Sequence, residues 1–409
     1  MINFRDYQQE IIENAQKVVS LYGFVYLAME VRTGKTLTSL GLAEKLGVKN
    51  LLFVTKKKAI SSITDDYKMY GPSYDIHVIN YESLHKIPKT NWDMIILDEA
   101  HGLGAFPKPS KRAKQVKELI NKHLPYVCFL SGTPTPESYC QIYHQVYGIR
   151  NNPFKEFKNF YRFCDVYVNV TTKLINGFNI KDYSSGKQSI NDAMRKYMIS
   201  YTQSEAGFES SIEEEIIRVQ MKPSTYELVN QLKKDLVVEH DDEAILADTG
   251  VKLMSKVHQI FSGTVKYESG KSIILDTSKA DYIKWRFSDK KLGIFYKFKA
   301  ELDILKQVFG DELCTDLETF NSTDKHIALQ IVSGREGISL RNADYVVFYN
   351  IDFSATSYWQ ARDRMTTKDR KFNKVYWLFA EDGIESSIYK SVINKKDFTL
   401  RHFRKLLIT

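Results

Sequence analysis

Short apolar runs alternate with amphipathic stretches along the first part of the chain. Residues 5–20 and 33–46 have the apolar spacing of helices, the second ending near Gly47. Five runs read as buried strands because they are rich in β-branched and aromatic residues: GFVYLAM (23–29), NLLFVT (50–55), DIHVINY (75–81), WDMIILDEAH (92–101) and PYVCFLSGTP (125–134). Continuous apolar strands separated by helices predict an α/β protein with a parallel sheet covered on both faces.

The pattern changes near residue 135 and returns after residue 290. Residues 135–203 read mainly as aromatic-rich helices with a hairpin and loop at 165–189, and residues 224–262 read as helical. Strands alternate with helices again at KLGIFYKF (291–298), KHIALQIVS (325–333), ADYVVFYN (343–350) and KVYWLFA (374–380). The predicted organisation is a first parallel-sheet domain at 1–150, a mostly helical accessory region at 151–265 and a second parallel-sheet domain at 266–409.

Composition places the chain among globular proteins, with 43% hydrophobic and 26% charged residues over 409 positions. The net charge of +8 is compatible with a polyanionic partner, and an ordinary basic enzyme fits it equally well. The cysteines lack metal-site spacing, so we expect no zinc and a reducing compartment: Cys128, Cys140, Cys164 and Cys314. No leader-like start or membrane-length apolar run is found, so we expect a cytoplasmic protein without a membrane partner.

A phosphate-binding loop is predicted where the first strand meets the second helix. The segment RTGKT lies between strand and helix, where backbone N–H groups and the positive helix end face phosphates. Lys35 is expected to contact the β- and γ-phosphates of ATP, and the Thr36 hydroxyl is expected to ligate Mg²⁺. The whole set of expected nucleotide-binding positions in this loop is Arg32, Thr33, Gly34, Lys35 and Thr36.

Two adjacent carboxylates end the fourth predicted strand in MIILDEAH. Carboxylates at strand ends lie in the crevice where open α/β sheets bind ligands. Asp98 is therefore expected to hold the Mg²⁺ shell, and Glu99 to take a proton from the attacking water.

The order TGKT, DEAH and SGTP (131–134) resembles motifs I, II and III of superfamily 2 helicases and translocases. FRDYQQE resembles the adenine-recognition motif of this superfamily, which assigns Gln8 to adenine. LLFVTKKKAI (51–60) and VINYESL (78–84) resemble its segments that contact nucleic acid. The resemblance implies two tandem RecA-like domains, ATP and Mg²⁺ as cofactors, and nucleic-acid contacts at Thr55, Lys56, Lys57 and Tyr81.

Within the superfamily the chain is most similar to the Swi/Snf-like translocases and their compact phage-type relatives. The similarity includes the YQ pair near the start and the long aromatic region after SGTP. Met29 stands where phosphate loops usually have a small residue. In Swi/Snf-like relatives this position is commonly a non-Gly residue followed by Glu, as Glu30 is here.

Residues 331–365 resemble motifs V and VI. Glycines let the backbone approach a ligand closely. The resemblance assigns Ser333 and Gly334 to the nucleic-acid backbone and Gly337 to the nucleotide.

The same segment contains the candidate arginines. Gln360, Arg362 and Arg364 are assigned to catalysis, and an arginine here would stabilise charge on the γ-phosphate. Thr367 stands where Swi/Snf-like relatives usually have a second arginine. Arg364 is therefore the first choice for this role and Arg362 the second.

The function predicted from these features is an ATP-dependent translocase or helicase. We expect a monomer that acts on single-stranded, duplex or branched DNA, with RNA left open. An alternative is a nucleic-acid clamp with a degenerate ATPase site. A phosphate-loop enzyme of another class, such as a small-molecule kinase, is disfavoured by the helicase-like motifs of the second half.

Overall fold

The computed structural model describes residues 4–175, 178–207, 211–240, 243–331, 340–354, 357–358, 362 and 372–394. The chain forms two compact units, Met1–Phe208 and Glu209–Thr409. This differs from the predicted three-part division, because residues 151–265 are shared between the two units. In the described part of the chain, no helix combines the length and apolar character needed to cross a membrane.

The first unit contains one large sheet and a small hairpin. Its strands are β1 (Phe24–Met29), β2 (Asn50–Thr55), β3 (Asp75–Asn80), β4 (Met94–Leu97), β5 (Tyr126–Leu130), β6 (Thr171–Ile175), β7 (Phe178–Asp182) and β8 (Met198–Tyr201). Its α-helices are α1 (Asp6–Tyr22), α2 (Lys35–Lys45), α3 (Ile60–Tyr70), α4 (Lys111–His123), α5 (Ile142–Val146), α6 (Phe160–Tyr167) and α7 (Ser189–Met194). Strands β6 and β7 form the hairpin that the sequence predicts within 165–189.

The large sheet has the strand order β3-β2-β4-β5-β1-β8, and every pairing is parallel. The five predicted strands are all present. β8 was not predicted, because residues 189–203 were expected to be helical. The helix ends at Met194, and Met198–Tyr201 instead pairs with the last four residues of β1.

The second unit has its own large sheet. Its strands are β9 (Ser211–Val219), β10 (Val237–His240), β11 (Glu243–Leu246), β12 (Thr264–Lys266), β13 (Ser272–Ile274), β14 (Leu292–Tyr296), β15 (Leu313–Cys314), β16 (His326–Gln330), β17 (Tyr345–Phe348) and β18 (Phe372–Ala380). Its α-helices are α8 (Pro223–Asp235), α9 (Gly250–Phe261), α10 (Ser278–Arg286), α11 (Lys299–Phe309), α12 (Leu317–Ser322) and, last in the described chain, α13 (Glu385–Ile393).

The second sheet has the order β15-β16-β14-β17-β18-β9, again with parallel pairing throughout. Two sheets of six parallel strands confirm the predicted fold class of tandem RecA-like domains. The prediction of a continuous helical stretch at 224–262 was wrong. A hairpin of β10 and β11 separates α8 from α9, and Glu239, His240 and Glu243 of the acidic EHDDE segment belong to its strands.

A buried ion pair joins two helices of the second unit. Lys279 Nζ of α10 lies 2.6 Å from Glu385 Oε1 of α13, and both side chains are 0% exposed. Glu385 Oε1 also accepts a hydrogen bond from the Ala380 N–H at the end of β18. Losing one member would leave a charge buried without its counterion, which is more damaging than losing an exposed pair.

We expect Lys279→Met to lower the free energy of unfolding of the second unit by about 3–5 kcal/mol, because it leaves the Glu385 charge buried without its counterion. Urea denaturation of the full chain, followed by tryptophan fluorescence, measures the change. Lys252→Met, which removes a half-exposed lysine that pairs with Asp248, is the matched control and should cost less than about 1 kcal/mol. Equal losses in the two variants would contradict the assigned importance of burial.

Candidate functional site

The phosphate loop begins where β1 ends and finishes at the first residue of α2. Gly34 has φ 82°, in the left-handed region that favours glycine. A Cβ at this position would also lie 2.4 Å from Gln8 Nε2. Arg32 has a positive φ of 63°, a conformation that is costly for a residue with a side chain. The loop is therefore a tight, partly strained turn that leads into the positive end of a helix.

Gln8 packs directly against this loop. Its side chain is buried, and Nε2 donates to Gly34 O and to Thr38 Oγ1, each at 3.4 Å. Its Oε1 accepts from the Arg5 N–H at 3.0 Å. The residue assigned to adenine therefore lies at the loop, while its contact with a base stays a prediction.

Two tyrosines support the loop from one side. The Tyr7 hydroxyl donates to Thr33 O at 3.0 Å. The Tyr7 ring stacks on the Tyr201 ring with centroids 4.6 Å apart. Tyr201 is the last residue of β8, so the unpredicted strand brings this ring to the loop.

Gln203 fixes the first half of the loop through two hydrogen bonds. Its backbone N–H donates to Glu30 Oε2 at 2.7 Å, and its Nε2 donates to Val31 O at 2.9 Å. The Glu30 N–H in turn donates to Tyr201 O at 2.9 Å. Tyr201 and Gln203 escaped the sequence analysis because YTQ (201–203) was taken as the end of a helix, and only recognition of β8 would have shown them.

Met29 is fully buried in the core beneath the loop, with 0% exposure. Its carbonyl, not its side chain, belongs to the phosphate site: Lys35 Nζ donates to Met29 O at 3.0 Å and to Glu30 O at 3.2 Å. A large residue at position 29 is therefore accommodated without filling the space where phosphates bind. Gly132 of SGTP approaches the same carbonyl, since a Cβ there would lie 3.3 Å from Met29 O.

Asp98 follows β4 directly and is held from two sides. Thr55 Oγ1 donates to Asp98 Oδ2 at 2.7 Å, and the Tyr81 hydroxyl donates to Asp98 O at 2.6 Å. Burial, with a contribution from the Glu99 charge, raises the pKa of Asp98 to about 6. The Thr55 hydroxyl and the Lys35 ammonium lower this pKa, because both stabilise the charged carboxylate. The Lys35 and Asp98 charges thus interact within the first unit.

Glu99 has φ 50°, in the left-handed region, and its carboxylate is close to a histidine. His101 Nδ1 lies 3.3 Å from Glu99 Oε2 and 3.0 Å from Ser131 Oγ. Ser131 Oγ also accepts from the Thr133 N–H at 3.1 Å. These contacts connect DEAH to SGTP and limit the freedom of the carboxylate that was assigned as the base.

Two residues assigned to nucleic acid have buried side chains that contact Asp98. Thr55 is 0% exposed and its hydroxyl donates to the Asp98 carboxylate, while Tyr81 is 4% exposed and its hydroxyl donates to the Asp98 carbonyl. Both side chains therefore position Asp98, and a contact of either residue with nucleic acid stays a prediction. Lys57 is exposed and Lys56 half-buried just beyond the end of β2, so their assignment to nucleic acid stays a prediction.

Most site residues predicted in the second half lie outside the described residues: Ser333, Gly334, Gly337, Gln360 and Arg364. Arg362 is described, and its Nη1 donates to Glu214 Oε1 at 3.0 Å. Arg362 is therefore tied to β9 of its own unit. That ion pair favours a positioning role for the second-choice arginine.

Glu214 is a residue that the sequence analysis missed. Its carboxylate accepts from Trp377 Nε1 at 2.8 Å and from the Tyr358 and Tyr389 hydroxyls at 2.8 and 3.2 Å. The only signal in the sequence was a run of three glutamates beside apolar residues, SIEEEIIRV. This run reads as a solvated face and gave no reason to single out its middle member.

A magnesium ion fits this set of residues only together with a nucleotide. Within the described ranges, no three His, Cys, Asp or Glu side chains are grouped so as to hold a metal by themselves. Mg²⁺ is commonly held by one or two carboxylates with phosphates and water. Asp98 and Thr36 would supply the hard oxygen ligands for such a site, and Mg²⁺ there would neutralise charge on the β- and γ-phosphates.

Comparison with known families gives two adjoining matches. Residues 27–275 match the SNF2-related domain, and residues 287–366 match the helicase conserved C-terminal domain. Curated relatives include the ISWI chromatin-remodeling complex ATPases CHR11 and CHR17 of Arabidopsis thaliana, which are 23% and 22% identical over 376 and 365 residues. These alignments cover 81% and 79% of this chain but 33% and 32% of the relatives, so the chain spans about a third of their length.

Similar solved structures include the SWI2/SNF2 ATPase core of Sulfolobus solfataricus in complex with dsDNA and its core domain alone. Each is 16% identical with a TM-score of 0.44, over 96% and 97% of this chain and 91% and 89% of those chains. The SNF2-related match extends over more than half of the present chain and is followed by the helicase C-terminal match. The chain therefore belongs to the SNF2-related family of superfamily 2 helicase-like ATPases.

Proposed function

We propose that this protein is an ATP-dependent translocase that hydrolyses ATP to move along DNA. The observation that carries the proposal is the assembly in the first unit of a phosphate loop with a carboxylate whose charge interacts with the loop lysine. Family membership supports ATP hydrolysis. The net charge of +8 and the chromatin-remodeling names of the curated relatives support DNA as the partner.

Each residue of the first unit has a distinct task in this proposal. Lys35 exchanges its two backbone carbonyl partners for phosphate oxygens when ATP binds. Asp98 and Thr36 hold the Mg²⁺ ion that arrives with the nucleotide. Glu99 accepts a proton from the attacking water, and His101 keeps its carboxylate in place.

An arginine of the second unit completes the site in this proposal. Arg364 is the first choice for stabilising charge on the γ-phosphate, because the structure gives Arg362 a partner in Glu214. Gly337 would approach the nucleotide, while Ser333 and Gly334 would contact the DNA backbone. Closure of the two units on ATP and reopening after hydrolysis would then advance the protein along a strand.

The proposed grip on DNA is electrostatic. Lys56 and Lys57 follow β2 at the carboxyl end of the sheet, where they would meet phosphates. Phosphate contacts carry no base information, so binding should be sequence-independent and should weaken steeply with salt.

Lys35→Ala and Glu99→Gln should each lower the DNA-stimulated rate of ATP hydrolysis by about 100-fold or more, because each removes a group that acts on the reacting phosphate or water. Glu99→Gln should still bind ATP. A coupled phosphate-release assay with and without duplex, single-stranded and forked DNA measures both effects. Lys45→Ala, at the exposed far end of α2, should keep the full rate.

Wild-type protein that hydrolyses ATP at the same rate with and without any DNA or RNA would exclude the translocase. Tight ATP binding without turnover in saturating DNA would instead support the clamp.

Thr55→Val should move the acidic limb of the pH profile to higher pH. The Thr55 hydroxyl stabilises the charged form of Asp98, so its loss raises the pKa of Asp98 above about 6. A hydrogen bond to a charged group contributes about 1.5–3 kcal/mol, which corresponds to a shift of about one to two pH units. ATPase rates between pH 5 and 8 at subsaturating Mg²⁺ measure the midpoint, since protons and Mg²⁺ compete for the carboxylate.

Thr55→Ser keeps the hydroxyl and is the matched control for that experiment. If Thr55→Val and Thr55→Ser gave the same midpoint, the hydroxyl would not govern the protonation of Asp98.

Gln203→Ala should raise the KM for ATP by about tenfold and leave DNA affinity unchanged, because it removes the side-chain hydrogen bond to Val31 O and loosens the phosphate loop while keeping the backbone bond to Glu30. Steady-state ATPase measurements give the KM for ATP, and a DNA-binding titration gives the affinity for DNA. Ser204→Ala, a change at the next and exposed position, is the control and should leave both values unchanged. A parallel loss of DNA affinity in Gln203→Ala would show a general structural defect instead.

A further inference from the structure

A cavity of about 410 Å³ opens on the first unit, apart from the phosphate loop and the carboxylates. Its walls come from residues 107–109, from α4 and α5 with the adjoining Tyr147, and from the segment 152–161. None of the motifs assigned to ATP or to the DNA backbone contributes a lining residue. The volume is within the roughly 300–1,000 Å³ of small-ligand sites.

The charged side chains that line this cavity are all positive. Four lysines line it, and none of the described residues that line it is Asp or Glu: Lys108, Lys117, Lys155 and Lys158. Three of them, at positions 108, 155 and 158, are exposed. Lys117 is held at the wall, with Nζ 4.4 Å from the centre of the Tyr147 ring. Such a one-sign lining attracts anions.

Aromatic rings form most of the remaining wall. The rings of His144 and Phe160 are stacked with centroids 5.4 Å apart, and Tyr143 and Phe163 pack beside them. Because these rings belong to the buried core of the first unit, the wall is rigid. Tyr161, in contrast, also lines the cavity and is 46% exposed.

One polar group in the wall lacks a partner. The Tyr147 hydroxyl is buried and makes no hydrogen bond with any described part of the protein. Burial, with the Glu118 charge adding to it, raises the pKa of Tyr147 to about 12, so the group stays a neutral hydroxyl. The nearby Asn152 amide is already used, because its Nδ2 donates to Ile149 O and its Oδ1 accepts from the Phe154 N–H.

We propose that this cavity is a second nucleic-acid site that takes one unpaired base of a single strand. The base stacks on the exposed ring of Tyr161 and enters the aromatic cavity. The flanking phosphates lie on Lys108, Lys155 and Lys158. Aromatic rings interleaved with cations are the means by which single strands are bound, and paired bases in a duplex do not expose a face to them.

This inference goes beyond the proposed function, because the site needs neither ATP nor the second unit. A single strand held here would keep the protein on DNA that contains an unpaired segment. An acidic peptide would also meet the lysines, but it would leave the stacking surface of Tyr161 without a role.

The test is photo-crosslinking of the full chain to a short oligodeoxythymidine in which one base is replaced by 5-iodouracil. Irradiation joins this base to a neighbouring aromatic side chain. Trypsin cuts after Lys158 and Arg162, so mass spectrometry reports the crosslink in the wild-type peptide Asn159–Arg162, which contains Tyr161. A variant without Lys155 and Lys158 gives the longer peptide Asn151–Arg162, so its yield is measured on that peptide against an isotope-labelled standard. Crosslink yield against oligonucleotide concentration gives the affinity of this site alone, whether or not DNA also binds at the motor.

We expect the crosslink at Tyr161 without ATP, and a loss of affinity of about tenfold or more in the double variant Lys155→Glu/Lys158→Glu. Tyr161→Ala should weaken oligonucleotide binding at this site by about tenfold, in the range of base–aromatic stacking, as read from crosslinks to the other rings of the wall. The matched control is Lys45→Glu/Lys49→Glu, with the same change in charge on another exposed surface of the first unit. It should leave the yield unchanged.

The proposal is overturned if no crosslink forms in the segment 152–161, if the two double variants behave alike, or if polyglutamate displaces the oligonucleotide as well as oligodeoxythymidine does. DNA-stimulated ATPase activity is measured on the same samples. A crosslink without stimulated ATPase would refute the translocase and keep this site, whereas stimulated ATPase without the crosslink would refute only this site.

Discussion

The parallel pairing of the first sheet is the constraint on which the nucleotide site depends. Because β1, β2, β4, β5 and β8 run in the same direction, their carboxyl ends meet at one edge. The register of pairing then determines which residues are neighbours. Met29 of β1 pairs with Tyr201 of β8. Val54 of β2 pairs with Leu97 of β4, so the residues that directly follow this pair are Thr55 and Asp98. The phosphate loop, the paired carboxylates and the supporting threonine are therefore brought together by backbone geometry before any side chain makes a contact.

Features encoded by contiguous residues could be predicted from the sequence. The apolar runs predict five of the six strands of the first sheet, and the loop with Lys35 and the pair Asp98 and Glu99 follow from short motifs at the ends of those strands. Two edge strands, β8 and β9, were not predicted. β8 is only partly buried along its length and β9 contains three consecutive glutamates, so neither has the apolar character of a central strand. Their identity depends on pairing with strands far away in the chain, which no local pattern reports.

Side-chain roles were less predictable than positions. Thr55 was placed correctly at the end of a strand but was assigned to nucleic acid, because the segment as a whole resembles one that contacts a backbone. β2 is buried from Leu51 to Thr55 and exposure begins only with the lysines that follow, a boundary that the sequence pattern does not mark. In the second unit, Glu214 gathers Arg362, Trp377 and two tyrosines around one carboxylate. No local sequence pattern reports this arrangement, because Glu214 is far away in the chain from the four residues that contact it.

The position of Lys35 has a consequence for the nucleotide cycle. Its ammonium group already satisfies the carbonyls of Met29 and Glu30, so the loop contains an internal substitute for part of the phosphate. A nucleotide that binds to Lys35 must displace these two hydrogen bonds. The same two bonds form again when the product leaves. The exchange lowers the intrinsic affinity for ATP but spares the loop from collapsing or reordering between turnovers. An ATPase that releases and rebinds nucleotide at every turnover gains speed from such an arrangement at the expense of tight binding.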